Sequence, residues 1–383
     1  MKKTLLATAI LLATSAANAA WTSPDGSLTI GGDAEINFDV FKNENGINAD
    51  YVNQGNIDND KKGETITQLN DDSRIKLMVE WKTAREDGAY LSAKIEPLVR
   101  TDGTVRVDDA YFMFGREDSW AFQIGRYEAM NLFPLGKDVA LFYADGGDGI
   151  GKGIYYYMAK EARGRRDAAG QARIMSEMGN WTAEVSTVYG NTADLLGASR
   201  EYVDGDNDTL DSDNNSFMVR PAVNYLSDDG AFSVSFGGEY EVSGDSVTVD
   251  GKGINTGEVL ELANRYGLAA TTTMTFGDLV WNTSIAMQDA KDAWEAHTFN
   301  TNIVYKNAFG LGTSYAVNKF TNKADAADAK SYAVYTAYTM PIMDFNNATV
   351  TFALSYSDTE NAYGIKDTDE QTTAFRSRFN YYF

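Results

Sequence analysis

Residues 373–383 read Thr373-Ala374-Phe375-Arg376-Ser377-Arg378-Phe379-Asn380-Tyr381-Tyr382-Phe383 and end the chain. Side chains two apart share a face of a strand. One face therefore carries Thr373, Phe375, Ser377, Phe379, Tyr381 and Phe383, and the other Ala374, Arg376, Arg378, Asn380 and Tyr382. A soluble domain has little use for an exposed closing run of Phe and Tyr. A terminal strand that meets lipid, with rings at the membrane boundary, has one.

The same alternation extends back to Ser27. Leu28, Ile30, Ala34, Ile36, Phe38 and Val40 oppose Thr29, Asp33, Glu35, Asn37 and Asp39. Further on, Ile75, Leu77, Val79 and Trp81 oppose Arg74, Lys76, Met78, Glu80 and Lys82. Strand pairs follow at 88–100 with 104–115, 215–227 with 230–243, 262–276 with 278–289, 296–306 with 309–320, and 330–343 with 347–358. Most reach the roughly 9–11 residues that a tilted strand needs to cross a bilayer, whereas strands of soluble sheets average about 5–6.

The connections sort into two sets. Thr83–Asp87, Gly115–Glu117, Gly179–Asn180, Ser227–Gly230, Gly277, Asn307–Ala308 and Asp344–Asn346 are short; Lys42–Thr67, Gly190–Asn214, Gly244–Glu261 and Thr359–Asp369 are long and polar. Tight turns at one end and long loops at the other are the plan of an outer-membrane barrel. Strands leaving the short-turn end begin at Ser27, Gly88, Ser119, Trp181, Gly230, Asp278, Phe309 and Asn347. With their returning partners these eight predict an all-β, sixteen-stranded transmembrane antiparallel barrel. Residues 152–178 hold two strand-like pieces, Gly153–Lys160 and Gln171–Met178. They are read either as one interrupted strand or as a strand preceded by a piece of the loop before it.

The first 19 residues predict a secretory signal peptide. Lys2 and Lys3 precede an apolar run at 5–13, and Ala17-Asn18-Ala19 is a small-residue cleavage pattern. The apolar run is too short to span a bilayer as a helix. Cleavage after Ala19 leaves one barrel domain, 20–383. The formal charge of −22 becomes −24 without the two signal lysines, which argues against nucleic acid as a partner. With no cysteine to form staples, stability falls to the sheet. His297 is the only histidine and has no nucleophile motif beside it, so no catalysis, metal or cofactor is expected. Asp204, Asp206 and Asp208 hint at a calcium loop, but Thr209 and Asn215 stand where Gly and Glu are needed.

The signal peptide, the even run of amphipathic strands and the closing Phe383 together resemble the trimeric sixteen-stranded porins of Gram-negative outer membranes. In those porins the third loop folds into the lumen and carries acids in a Pro-Glu-Phe-Gly-Gly-Asp stretch, facing arginines on the opposite wall. Here the stretch is Tyr143-Ala144-Asp145-Gly146-Gly147-Asp148, so Gly-Gly-Asp matches and Pro-Glu does not. The resemblance implies a constriction acid at Asp148, with Asp145 and Asp138 as candidates by proximity. It also implies wall cations at Arg74 and Arg126, with Lys152 as a third. Strand parity independently puts Arg74, Lys76, Lys94, Arg100, Arg376 and Arg378 on the lumen side. Arg126 shares the parity of Trp120, Phe122 and Ile124 and reaches the lumen only if a bulge or the strand end turns it.

These readings together predict a water-filled channel for small hydrophilic solutes, preferring cations, set among outer-membrane lipid and lipopolysaccharide as a homotrimer. Tyr127, Phe133, Phe142, Tyr143 and Tyr155 make the expected neck aromatic, and aromatics line ligand sites. An oligosaccharide-selective pore is the alternative. A secreted soluble β-protein is a remote one.

Overall fold

The computed structural model describes residues 20–44, 63, 65–69, 73–137, 157, 159, 170–191, 209–211, 215–243, 247–250, 259–260, 264–291, 294–320, 326–361, 366–367 and 369–383. The expected signal peptide lies outside them.

Sixteen long strands form the wall: β1 (Leu28–Asn43), β2 (Arg74–Ala84), β3 (Ala89–Arg100), β4 (Val105–Arg116), β5 (Trp120–Arg126), β6 (Gly170–Met178), β7 (Trp181–Asn191), β8 (Asn215–Leu226), β9 (Phe232–Ser243), β10 (Tyr266–Phe276), β11 (Leu279–Asp289), β12 (Trp294–Tyr305), β13 (Phe309–Phe320), β14 (Ala329–Ile342), β15 (Phe345–Glu360) and β16 (Glu370–Tyr382). Each pairs antiparallel with its chain neighbours, and β16 pairs with β1 from Asp33–Tyr382 to Asn43–Thr372, closing the barrel. Closure leaves no free sheet edge, the condition for a sheet to survive in lipid. Two short pieces, Trp21–Thr22 and Thr65–Gln68, add to β1. The second continues the line of β2.

Phe383 completes the seam. Its N–H donates to the Gly32 carbonyl at 3.0 Å and its own carbonyl accepts from Gly32 N–H at 2.7 Å. The terminal ring lies over Gly32, where a Cβ would come within 2.8 Å of it.

The two faces of the wall divide as the alternation requires. Outward positions are apolar and exposed in the isolated chain, among them Ile75, Leu77, Phe112, Ile285, Val334 and Phe379. Inward positions are polar or small and buried, among them Asn37, Gln123, Ser284, Asn300, Ala316 and Ala333. Many strands open or close at the short-turn end on an exposed ring: Trp120, Trp181, Phe232, Phe276, Tyr305, Phe309 and Phe345. That is an aromatic girdle at one membrane boundary. The turns below it use left-handed backbone. Lys306 and Asn307 have φ of 51° each, and Met343 and Asp344 of 50° and 61°, the twist that matches two-residue hairpins. Another turn is tied by its own side chains: Asp229 accepts from Ser227 Oγ and from Ala231 N–H. The Ser227 hydroxyl, then the backbone bond, holds its carboxyl below the usual range.

One open alternative of the sequence reading is decided, and two features go beyond that reading. Gly170–Met178 is the sixth strand by itself, and Tyr157 and Ala159 bond to β12 and β8 instead. Tyr157 and Ala159 of the earlier piece therefore belong to the connection between β5 and β6. Two of the long polar connections form a small antiparallel sheet, in which Thr209–Asp211 pairs with Val247–Asp250 and that with Val259–Leu260. Finally, β3 and β4 lose register between Ile95 and Pro97, a bulge the alternation of 104–115 did not announce.

Candidate functional site: the inner wall

Two sectors of the inner wall differ in chemistry. The first spans β16, β1, β2, β3 and β4 and is charged. Arg376 grips Asp39 with two bonds, Nε–Oδ1 2.6 Å and Nη2–Oδ2 3.1 Å, with both side chains almost fully buried. Arg378 donates to Asn37 Oδ1 at 2.9 Å and pairs with Glu35 at 3.1 Å. Arg74 reaches the same Glu35 at 2.9 Å. Lys76 sits among Asp108 at 3.1 Å, Asp33 at 3.5 Å and Glu96 at 3.6 Å. Lys94 meets Glu96 at 2.7 Å and Asp109 at 3.2 Å. Parity thus brings Arg74, Lys76, Lys94, Arg376 and Arg378 together on adjoining strands, each beside a carboxylate. Arg100, at the end of β3, lies across from Arg74 in register and 3.9 Å from Asp102. The Thr104 hydroxyl, then its backbone N–H, lowers the Asp102 pKa in that turn.

Arg126 ends β5 just after Gly125, whose φ is 130°. Its Nε donates to the carbonyls of Val107 and Asp108, both at 2.9 Å. It braces the backbone of β4.

The second sector, β7 to β14, is uncharged over most of its area and carries the chain that follows β5. Residues 127–137 lie along its inward face. Met130 N–H donates to Glu184 of β7 at 2.8 Å, and Thr271 of β10 donates to Leu132 O at 2.5 Å. Asn302 of β12 donates to Pro134 O at 2.9 Å, and Tyr335 of β14 to Leu135 O at 2.8 Å. Lys137 donates to Thr339 Oγ1 at 3.1 Å, and burial pushes its ammonium pKa down. The contacts step strand by strand around the wall. Further along the chain, Tyr157 N–H donates to Thr298 Oγ1 of β12 at 3.3 Å, and Arg220 of β8 donates to Ala159 O.

Small inward residues make the room. A Cβ on Gly310 would stand 2.6 Å from the Lys137 Cβ, and one on Gly267 would collide with the Tyr157 hydroxyl. Tyr127 and Phe133, expected as sugar-stacking rings, are 1% and 0% exposed. Tyr127 has Arg173 over its ring at 4.5 Å and its hydroxyl 3.2 Å from Ser186. Covered rings have no face to offer a solute, so these two anchor the segment. Asp138, Phe142, Tyr143, Asp145, Asp148, Lys152 and Tyr155 lie outside the described residues.

The sequence reading missed a group that fastens this segment. Glu184 takes Arg173 at 2.7 Å as well as Met130 N–H, and Arg220 stands 4.0 Å from it while holding Ala159. Farther up, Arg265 pairs with Glu241 at 3.0 Å with both side chains buried. The available signal was charged residues at inward parity on β6–β9, where neighbouring inward residues are small or neutral. His297 faces outward near the far end of β12, 2.8 Å from Glu295.

A closed sixteen-stranded barrel with an apolar exterior and a polar inner wall defines a transmembrane channel of the porin type. The family comparison agrees: a model described as Porin-like glycoporin RafY matches residues 30–383, and the chain belongs to this family. No curated protein sequence matches it. Among solved structures, the outer membrane channel DcaP of Acinetobacter baumannii superposes with a TM-score of 0.61 at 12% identity, covering 95% of this chain and 100% of that one. A loop L8 deletion mutant of OmpT, an outer membrane protein of Vibrio cholerae, gives 0.59 at 14% identity, covering 93% and 99%. At such identities the likeness is one of fold. The protein is a channel porin of the Gram-negative outer membrane.

Proposed function

We propose that this porin passes small hydrophilic solutes by passive diffusion, without chemistry on them, through a lumen narrowed by the segment between β5 and β6. The supporting observation is the run of bonds that fastens residues 127–137, and then Tyr157 and Ala159, to inward residues of β7–β14. Residues 138–156 join those ends. In this reading they carry Asp138, Asp145 and Asp148 at the neck, facing the charged sector, with Lys152 nearby. Screening at about 8 Å in physiological salt confines strong effects on a passing ion to charges near that neck. The acidity of the chain favours cations. Assembly is as a homotrimer in outer-membrane lipid and lipopolysaccharide.

The word glycoporin in the family's description favours a second reading, in which the solutes are oligosaccharides. Stacking then falls to Phe142, Tyr143 and Tyr155, since Tyr127 and Phe133 are covered.

Planar-bilayer recording tests both readings. Across a potassium chloride gradient the reversal potential is expected to favour potassium; a potential favouring chloride overturns cation preference. Malto- or chito-oligosaccharides are expected to interrupt the current if sugars are the solutes, and uninterrupted current removes that reading.

A further inference from the structure

The charged sector is not a positive wall. Five of its cations, Arg376, Arg378, Arg74, Lys76 and Lys94, alternate with six carboxylates, Asp39, Glu35, Asp33, Glu96, Asp108 and Asp109. These carboxylates offset the charge of a row of arginines and lysines that alone would attract anions.

The bulge in β4 holds two of these carboxylates. Ile95 faces Ala110 and Pro97 faces Val107, so two steps on β3 span three on β4. Pro97 has no N–H to give to a regular ladder. The extra residue places Asp108 and Asp109 together opposite Glu96, and both carboxylates turn inward, to Lys76 and to Lys94. In an unbroken strand one of two adjacent aspartates would face lipid. Outward parity changes across the bulge: Val105 and Val107 are exposed before it and Phe112 after it, as an inserted residue requires.

We infer that the carboxylates within the β16–β4 wall, above all the bulged pair Asp108 and Asp109, set the ion preference of the channel by cancelling its wall cations. The inference rests on the channel reading and deepens it. Selectivity is then shared between the neck and the wall opposite, and the solutes that suit this wall are cations or neutral polyhydroxyl compounds. The partly exposed Arg74, Arg378, Lys76, Lys94 and Asp108 there offer hydroxyl groups donors and an acceptor side by side.

The test compares reversal potentials of wild type and Asp108→Asn/Asp109→Asn in the same potassium chloride gradient. Heat-modifiable mobility on SDS gels verifies that each barrel has folded. Lys76 and Lys94 would then lose two of the carboxylates that offset them, and the potassium-to-chloride permeability ratio is expected to fall about two- to fivefold. Lys76→Gln/Lys94→Gln is expected to move the ratio the other way, and it decides the matter if the first variant does not fold. A folded, conducting variant with the wild-type reversal potential overturns the inference. A wild-type protein that passes no current overturns the channel reading itself.

Discussion

Arg376→Ala is expected to cost the barrel about 3–5 kcal/mol of stability, the range for breaking one side of a buried ion pair. Arg376 donates two bonds to the Asp39 carboxylate across the seam between β16 and β1, with side chains 3% and 0% exposed. Removing the guanidinium leaves a carboxylate desolvated without the partner that offset its burial. Arg376→Lys keeps the charge but loses the two-pronged geometry, so an intermediate loss is expected. Replacing both members with apolar residues of similar volume is expected to recover most of the stability, because the penalty lies in the orphaned charge. Loss of heat-resistant mobility in SDS, followed with rising urea, measures all three. Equal stability of Arg376→Ala and wild type would mean that water in the lumen solvates Asp39 freely.

Gly267→Val is expected to give the second large effect, on conduction. The added Cβ would occupy the position of the Tyr157 hydroxyl, and overpacking of this kind costs about 1–3 kcal/mol. The strand is held on both sides by β9 and β11, so the segment at Tyr157 yields first. A changed single-channel conductance with an intact barrel is expected. Leu268→Val, one residue along and on the lipid side, is expected to leave conductance as it was. Wild-type conductance in Gly267→Val would show that the segment does not bound the passage.

Much of this architecture was legible because lipid and water impose opposite demands on alternate residues. The parity of 373–383, of 28–40 and of 74–82 falls on the strands β16, β1 and β2. The short turns located the strand starts to within two residues of Leu28, Ala89, Trp120, Phe232, Leu279 and Phe345. What escaped was what depends on packing against the inner wall. Nothing in the alternation singles out Gly267 or Gly310, yet a Cβ there would meet Tyr157 or Lys137 of the β5–β6 segment. The anchoring role of Tyr127 depends on contacts with residues 44 or more positions away, Gln171 and Ser186. The β4 bulge was written in Asp108-Asp109 and in the shift from Val105 and Val107 to Phe112 and Phe114, but a strict two-residue period hides a single inserted residue.

Water on one side of the strands and lipid on the other is the claim beneath everything else, and a pair of cysteines tests it. The chain has none of its own. Met78 faces inward on β2 and Leu77 faces outward beside it. In planar bilayers, Met78→Cys is expected to react with a charged, membrane-impermeant thiol reagent, and the single-channel current should step down as it does. Leu77→Cys, buried in lipid, is expected to stay unmodified. Reaction at Leu77→Cys with none at Met78→Cys, or no current from either, would contradict the account.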